Sequence, residues 1–309
     1  MTVEALLARD LAKTYRVRGG LEVPALQGVS LTIHRGERFA LLGRNGAGKT
    51  TFLRIASTLL VPTSGTVEVF GHDAIHDPET VRPLLAVVPQ EGKPFFHLTP
   101  REQVYSYLCA RGCSRATAKA RTEESLEQMG LLEVADRLSV TLSGGQRQRT
   151  MVATVIATEA PLLFLDEPTI GMDPFARRAV WETFRRLSRR GSTILLTTHY
   201  LDEAESLSQR LAIIERGRVL VEGTAESLKL QMGGTFRVTV PGGARIRDTL
   251  AGFGSLVEDA DAVHVITGPG RVQELLTLAV HEKLAATVGP VTLEEAFLRV
   301  VGHSINEEP

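Results

Sequence analysis

The segment Gly43-Arg44-Asn45-Gly46-Ala47-Gly48-Lys49-Thr50 constrains this chain more than any other. It fits G-x-x-x-x-G-K-[ST] and stands between the apolar run Arg38–Leu42 and a helix-like stretch that begins near Thr51. Glycines let successive backbone N–H groups curl around phosphate oxygens, and a helix that starts at once adds the positive end of its dipole. The residues Gly43, Arg44, Asn45, Gly46, Ala47 and Gly48 are therefore expected to wrap the phosphates of a nucleotide, with Thr51 opening the helix beside them. Lys49 would reach the β- and γ-phosphates, and the Thr50 hydroxyl would coordinate Mg2+.

A second string completes such a site. Leu162-Leu-Phe-Leu-Asp166-Glu167 is a buried strand ending in two carboxylates, and open α/β sheets place ligand chemistry at the carboxyl ends of their strands. Asp166 is expected to hold Mg2+ and Glu167 to polarise the water that attacks the γ-phosphate. A third string, Leu142-Ser143-Gly144-Gly145-Gln146, reads as another glycine-rich helix start. It is a second phosphate-binding terminus on a chain with one phosphate loop, so one ATP does not obviously fill both.

Other classes are disfavoured by composition. With 309 residues and 43% hydrophobic content the chain suffices for one large or two ordinary domains, and a net charge of −1 with a pI near 6.7 provides no global field for nucleic acid. Cys109 and Cys113 have no second ligand pair nearby and read as reduced cytosolic thiols. No stretch approaches the roughly 18 apolar residues of a membrane span, and the first five residues lack the features of a signal peptide. The expectation is a chain soluble by itself that a partner must hold at any membrane where it works.

Apolar runs at Phe39–Leu42, Leu85–Val88, Leu162–Leu165 and Ile194–Leu196 read as strands of a parallel sheet buried on both faces. Alternating segments at Val29–Ile33 and Thr66–Phe70 suit an antiparallel subsheet. From about 91 to 140 the chain turns helical and charged, with helices expected at Arg101–Arg111 and Ala116–Gly130. Ala212–Glu222 reads as a hairpin around Arg216-Gly217. Beyond a soft boundary near 230, Phe236–Val240, a helix near Ala244–Phe253, Ala262–Thr267 and a helix from Val272 suggest a small α+β domain over 235–309.

Leu142–Gln146 resembles the signature motif of the ABC ATPases, and the resemblance extends over about 1–225. It implies a P-loop NTPase core of ABC type over 1–230, with an antiparallel β subdomain and a helical insertion at about 91–140. It further implies an adenine-stacking Tyr15, a Q-loop Gln90 touching Mg2+ and the attacking water, a D-loop at Gly171-Met172-Asp173, and a switch histidine at His199 that contacts the γ-phosphate. In the family two subunits face head to tail, with each ATP trapped between the P-loop of one and the signature of the other. That accounts for the spare phosphate site of Ser143, Gly144, Gly145 and Gln146, and implies a second ATPase subunit, a homodimer in the simplest case.

The family also implies a separate membrane permease, held at the cytoplasmic face. DNA-repair members split the core with a coiled coil and translation members carry two cores, and neither feature is present. The segments Leu196–Glu205 and Val291–Arg299 are similar to those of ABC-2-type, daunorubicin-resistance-like exporter subunits, although many of these have Met where Gln146 stands. Export of a drug-like or lipid-like substrate is the favoured implication, with an importer or non-transport ATPase as the alternative. Phe95, Phe96 and His97, near the start of the insertion, are read first as its core and second as part of a permease-docking groove.

Overall fold

In this computed structural model, residues 4–16, 20–90, 92–258 and 261–306 are described. Residue 91, where the insertion is expected to begin, lies outside them, as do residues 1–3 of the segment judged for a signal peptide and residues 307–309 of the C-terminal domain. The chain divides into two compact units, Met1–Val219 and Leu220–Pro309.

The first unit opens with β1 (Glu4–Arg16), β2 (Glu22–His34), β3 (Arg38–Leu42), α1 (Lys49–Ala56), β4 (Ser64–Val69), β5 (His72–Asp73), α2 (Pro78–Val81) and β6 (Leu85–Val88). There follow α3 (Pro100–Ala110), α4 (Arg115–Gln128), α5 (Gly144–Ile156), β7 (Leu162–Asp166), α6 (Pro174–Arg189), β8 (Thr193–Thr198), α7 (Leu201–Leu207), β9 (Arg210–Glu215) and β10 (Arg218–Gly223), inside which the division falls. Strands β2-β1-β4-β5 form an antiparallel sheet, and β10-β9-β3-β8-β7-β6 form a six-stranded sheet in which β9, β3, β8, β7 and β6 pair in parallel.

Every residue of β7 and β8 is buried, as a parallel strand covered on both faces requires. Helix α1 buries Phe52, Leu53, Ile55 and Ala56 in a cluster with Phe39 and Leu41 of β3, Phe164 of β7 and Leu195 of β8. Each such Phe, Leu or Ile side chain contributes about 1.5–3 kcal/mol of burial. The loop between β3 and α1 is thus tied at both ends to the best-packed part of the unit.

The insertion contains α3 and α4, close to the expected spans. Thr99 and Glu102 form a reciprocal capping box with Pro100 at the first helical position, and Ser114 caps α4. The reading of Phe95 and Phe96 as core is overturned: they are 69% and 45% exposed, and His97 is exposed too. Pro94, Pro100, Val104 and Leu108 are among the residues that go inside instead.

The second unit contains α8 (Ala225–Leu230), β11 (Phe236–Pro241), α9 (Arg247–Ala251), β12 (Ser255–Glu258), β13 (Ala262–Thr267), α10 (Pro269–His281), β14 (Thr287–Pro290) and α11 (Leu293–Asn306). From β11 to β14 the order is β-α-β-β-α-β, and the sheet order β12-β13-β11-β14 with antiparallel pairs is the split βαβ arrangement. Val238, Val240, Val263 and Val265 share one sheet face with Leu250 of α9 and Leu275 of α10. From the other face Arg237 reaches Glu295 of α11 at 2.5 Å. The helix expected at Ala244–Phe253 is broken, because Ile246 at φ −117°, ψ 23° leaves the α region between a 3-10 turn at Gly243–Ile246 and α9. Strands β12 and β14 were not anticipated from the sequence pattern.

Candidate nucleotide-binding site

Gly43 and Gly48 of the first loop are used for close approach. A Cβ on Gly43 would stand 2.3 Å from the Ile214 carbonyl oxygen, and one on Gly48, at φ +107°, 2.5 Å from that of Ala25. Gly48 is the residue before α1, so its left-handed backbone turns the strand exit into the helix entry. Lys49 Nζ donates to the carbonyls of Gly43 at 2.7 Å and Arg44 at 3.1 Å, closing the loop on itself. Burial lowers the pKa of Lys49, against the opposing pull of Glu167 and Asp166. Above the loop is a cavity of about 180 Å³ lined by Asn45, Gly46, Ala47, Gly48, Lys49, Thr50 and Thr51 together with Ala25, Gln90 and Glu167. At 3.4 Å from Thr51 Oγ1, the Tyr15 hydroxyl links β1 to α1.

Three oxygens converge beside this cavity. Thr50 Oγ1 is 3.3 Å from Gln90 Oε1 and 3.3 Å from Asp166 Oδ1, and Asp166 also accepts from the Thr197 hydroxyl. A hydroxyl, an amide oxygen and a carboxylate form the hard-oxygen donor set that suits Mg2+, so these residues fit that ion. Burial raises the pKa of Asp166, with the hydroxyls of Thr197 and Thr50 opposing. Removing the hydroxyl donors or bringing a cation close would shift that balance.

Glu167 is 5% exposed and adopts φ +50°, a left-handed conformation that costs a non-glycine residue energy and persists only when its surroundings impose it. Its N–H donates to Thr197 O at 3.1 Å and Oγ1 at 3.2 Å. The carboxylate stands 3.9 Å from Lys49 Nζ and 3.0 Å from His199 Nδ1. The parallel register of β7 and β8, with Asp166 opposite Thr197, brings these strand ends level.

The other predicted residues stand elsewhere: neither Ser143–Gln146 nor Asp173 lines the cavity. Ser143 caps α5, its Oγ accepting from Gln146 N at 3.2 Å while Gln146 Oε1 accepts from Ser143 N at 2.9 Å. Ser143 and Gly144 are exposed. A Cβ on Gly145 would lie 3.4 Å from Gly171 O, so this helix start abuts the Gly171–Asp173 turn. Asp173 caps α6 through Ala176 N at 2.9 Å and Phe175 N at 3.0 Å, and these backbone hydrogen bonds lower its pKa.

Reading the sequence missed Ala25 and Thr197. Ala25 approaches from a different strand, which no local pattern marks. For Thr197, the signal was a hydroxyl-ending strand two residues before His199.

A family profile described as "ABC transporter" matches residues 26–170. The daunorubicin/doxorubicin resistance ATP-binding protein DrrA of Streptomyces peucetius is 44% identical over 209 residues, which cover 68% of this chain and 63% of that protein. The doxorubicin resistance ATP-binding protein DrrA of Mycobacterium tuberculosis is 37% identical over 256 residues, 82% of this chain and 76% of the relative. A solved dimeric ATP-binding cassette, in a post-hydrolysis state bound to ADP and Pi, superposes with a TM-score of 0.66 at 27% identity over 71% of this chain and 98% of its own. Among the described residues no helix is long and apolar enough to cross a membrane. A phosphate loop tied to β3 and α1, a carboxylate pair at the end of β7 and a capped glycine helix start on α5 are thus parts of one architecture, and the chain belongs to the ABC transporter family, as an ATP-binding protein of P-loop NTPase fold.

Proposed function

We propose that the chain binds and hydrolyses ATP to drive a separate membrane permease, and that it works in export. The observation that carries this reading is the placement of Glu167, buried at the rim of the phosphate cavity between Lys49 and His199. Backbone amides of Gly43–Gly48 and the Lys49 ammonium hold the phosphates, and Tyr15 stacks on the adenine, a contact worth roughly 1–3 kcal/mol by analogy with base stacking. Thr50, Gln90 and Asp166 would hold Mg2+, which would supply positive charge to the phosphates. Glu167 accepts hydrogen from the attacking water, and His199 donates to the γ-phosphate.

Ser143–Gln146 and Asp173, which do not line the phosphate cavity, serve the ATP of a second copy in a head-to-tail homodimer. Hydrogen bonds from Ser143 and the nearby amides to phosphate contribute about 1.5–3 kcal/mol each, so ATP holds the dimer and loss of the γ-phosphate releases it. Residues 1–230 form the motor, with the insertion at 91–140 facing the permease, and 235–309 form an accessory domain. The exposed pair Phe95 and Phe96 suits a docking helix of the permease, which would hold the protein peripherally at the cytoplasmic face of the membrane. Resistance proteins among its relatives support a drug-like cargo.

Glu167→Gln keeps the shape and removes the carboxylate. It is expected to lower kcat by about 100-fold or more while ATP binding persists and an ATP-stabilised dimer accumulates on size exclusion. Turnover at the wild-type rate would remove Glu167 from the mechanism.

A further inference from the structure

The hydrogen bonds behind Glu167 and His199 converge on a side chain that the functional reading leaves unused. Glu203, on α7 and four residues past His199, is 0% exposed. Its Oε1 accepts from Thr169 Oγ1 at 2.7 Å and from Trp181 Nε1 at 3.1 Å. Thr169 stands two residues past Glu167, and Trp181 lies on α6, the helix capped by Asp173. The intervening Pro168 is held from its other side, since Gln148 Nε2 of α5 donates to its carbonyl at 3.2 Å. One carboxyl oxygen therefore ties the loop leaving β7 to the helix that follows His199.

A carboxyl that served only to fill this space is poorly chosen, because an apolar side chain of similar size avoids the desolvation cost. The backbone at Glu167 is left-handed and depends on its surroundings to stay so. We propose that Glu203 is a positioning residue, whose bridge between Thr169, Trp181 and α7 keeps Glu167 and His199 at their 3.0 Å approach. The inference rests on the reading of Glu167 and His199 as the catalytic pair. Burial raises the pKa of Glu203, against the hydroxyls, the indole N–H and the nearby Arg177. A glutamine can therefore imitate it, since the amide oxygen retains the acceptor used by both donors.

The test is steady-state ATP hydrolysis by the full chain carrying Glu203→Leu, Thr169→Val or Glu203→Gln, with Glu167→Gln run alongside. Glu203→Leu keeps the volume and removes both acceptor contacts, and is expected to lower kcat by about 10- to 100-fold, in line with a small misplacement of reacting groups. KM for ATP should stay within about threefold, because the phosphate cradle is untouched. Thr169→Val should lower kcat by about three- to tenfold with the same KM pattern, and it decides the question if Glu203→Leu does not fold. Glu203→Gln should restore most of kcat. The proposal is overturned if folded Glu203→Leu and Thr169→Val turn over at wild-type kcat, if KM rises while kcat holds, or if Glu203→Gln is as impaired as Glu203→Leu. Wild-type turnover by Glu167→Gln would instead remove the catalytic reading on which the inference stands.

Discussion

Lys49 and Glu203 are both ionisable side chains taken out of water, and their neighbours treat them differently. Lys49 is surrounded by carbonyls and by the carboxylates of Glu167, Asp166 and Glu215, which favour its charged form and offset part of its burial. Glu203 meets hydroxyl and indole donors with Arg177 nearby, and burial dominates, raising its pKa. A carboxyl whose folded pKa lies above its unfolded value contributes stability that is fully present below the unfolded value, about 4.3 for glutamate, and is lost as pH rises through the folded value. Glutamine has no such dependence. The melting temperature of Glu203→Gln minus that of the wild type should therefore increase from acid to neutral pH. Thermal melts across that range check it, and a difference that stays flat would mean Glu203 ionises as freely folded as unfolded.

At the scale of elements, helix α5 shows what a single side chain does at a helix start. The box formed by Ser143 and Gln146 satisfies two backbone N–H groups, those of Gln146 and Ser143 itself. Methionine at this position would keep the first bond and lose the second. Gln146→Met should lower stability by about 0.5–1 kcal/mol, on the scale of a single helix cap, while ATP turnover is retained. Urea titration measures the change, and equal midpoints would show that the box does not persist in solution. Elements marked by strong local patterns were the legible ones: β7 through an unbroken apolar run, α5 through its glycine-rich start at Ser143–Gln146. The β12 and β14 segments were not, since each is four residues long and no β12 residue is fully buried, so burial leaves no alternation to read. The exposure of Phe95 and Phe96 was illegible for the converse reason, because hydrophobicity alone does not say which side chains the core has room for.

For the whole molecule, the proposed pairing of two chains has a direct consequence. A Lys49→Ala subunit and a Ser143→Arg subunit are each inactive alone, yet a mixed dimer contains one site free of both changes. Random mixing makes about half of the dimers mixed with one of two sites intact, so about a quarter of wild-type hydrolysis should return. Absence of recovery in verified mixed dimers would argue that the sites are not shared. The sequence by itself determined the segments proposed to carry phosphate chemistry, because Gly43–Thr50, Asp166-Glu167 and Ser143–Gln146 announce themselves through local backbone needs: glycine conformations, a strand end and a helix cap. Only the tertiary structure decided which of them meet. The convergence of Thr50, Gln90 and Asp166, and the contact of Glu167 with His199, depend on strand register across a buried sheet. So does the role read for Glu203, which along the chain is one acidic residue among 36 and becomes distinct only through the desolvation and hydrogen bonding that packing imposes on it.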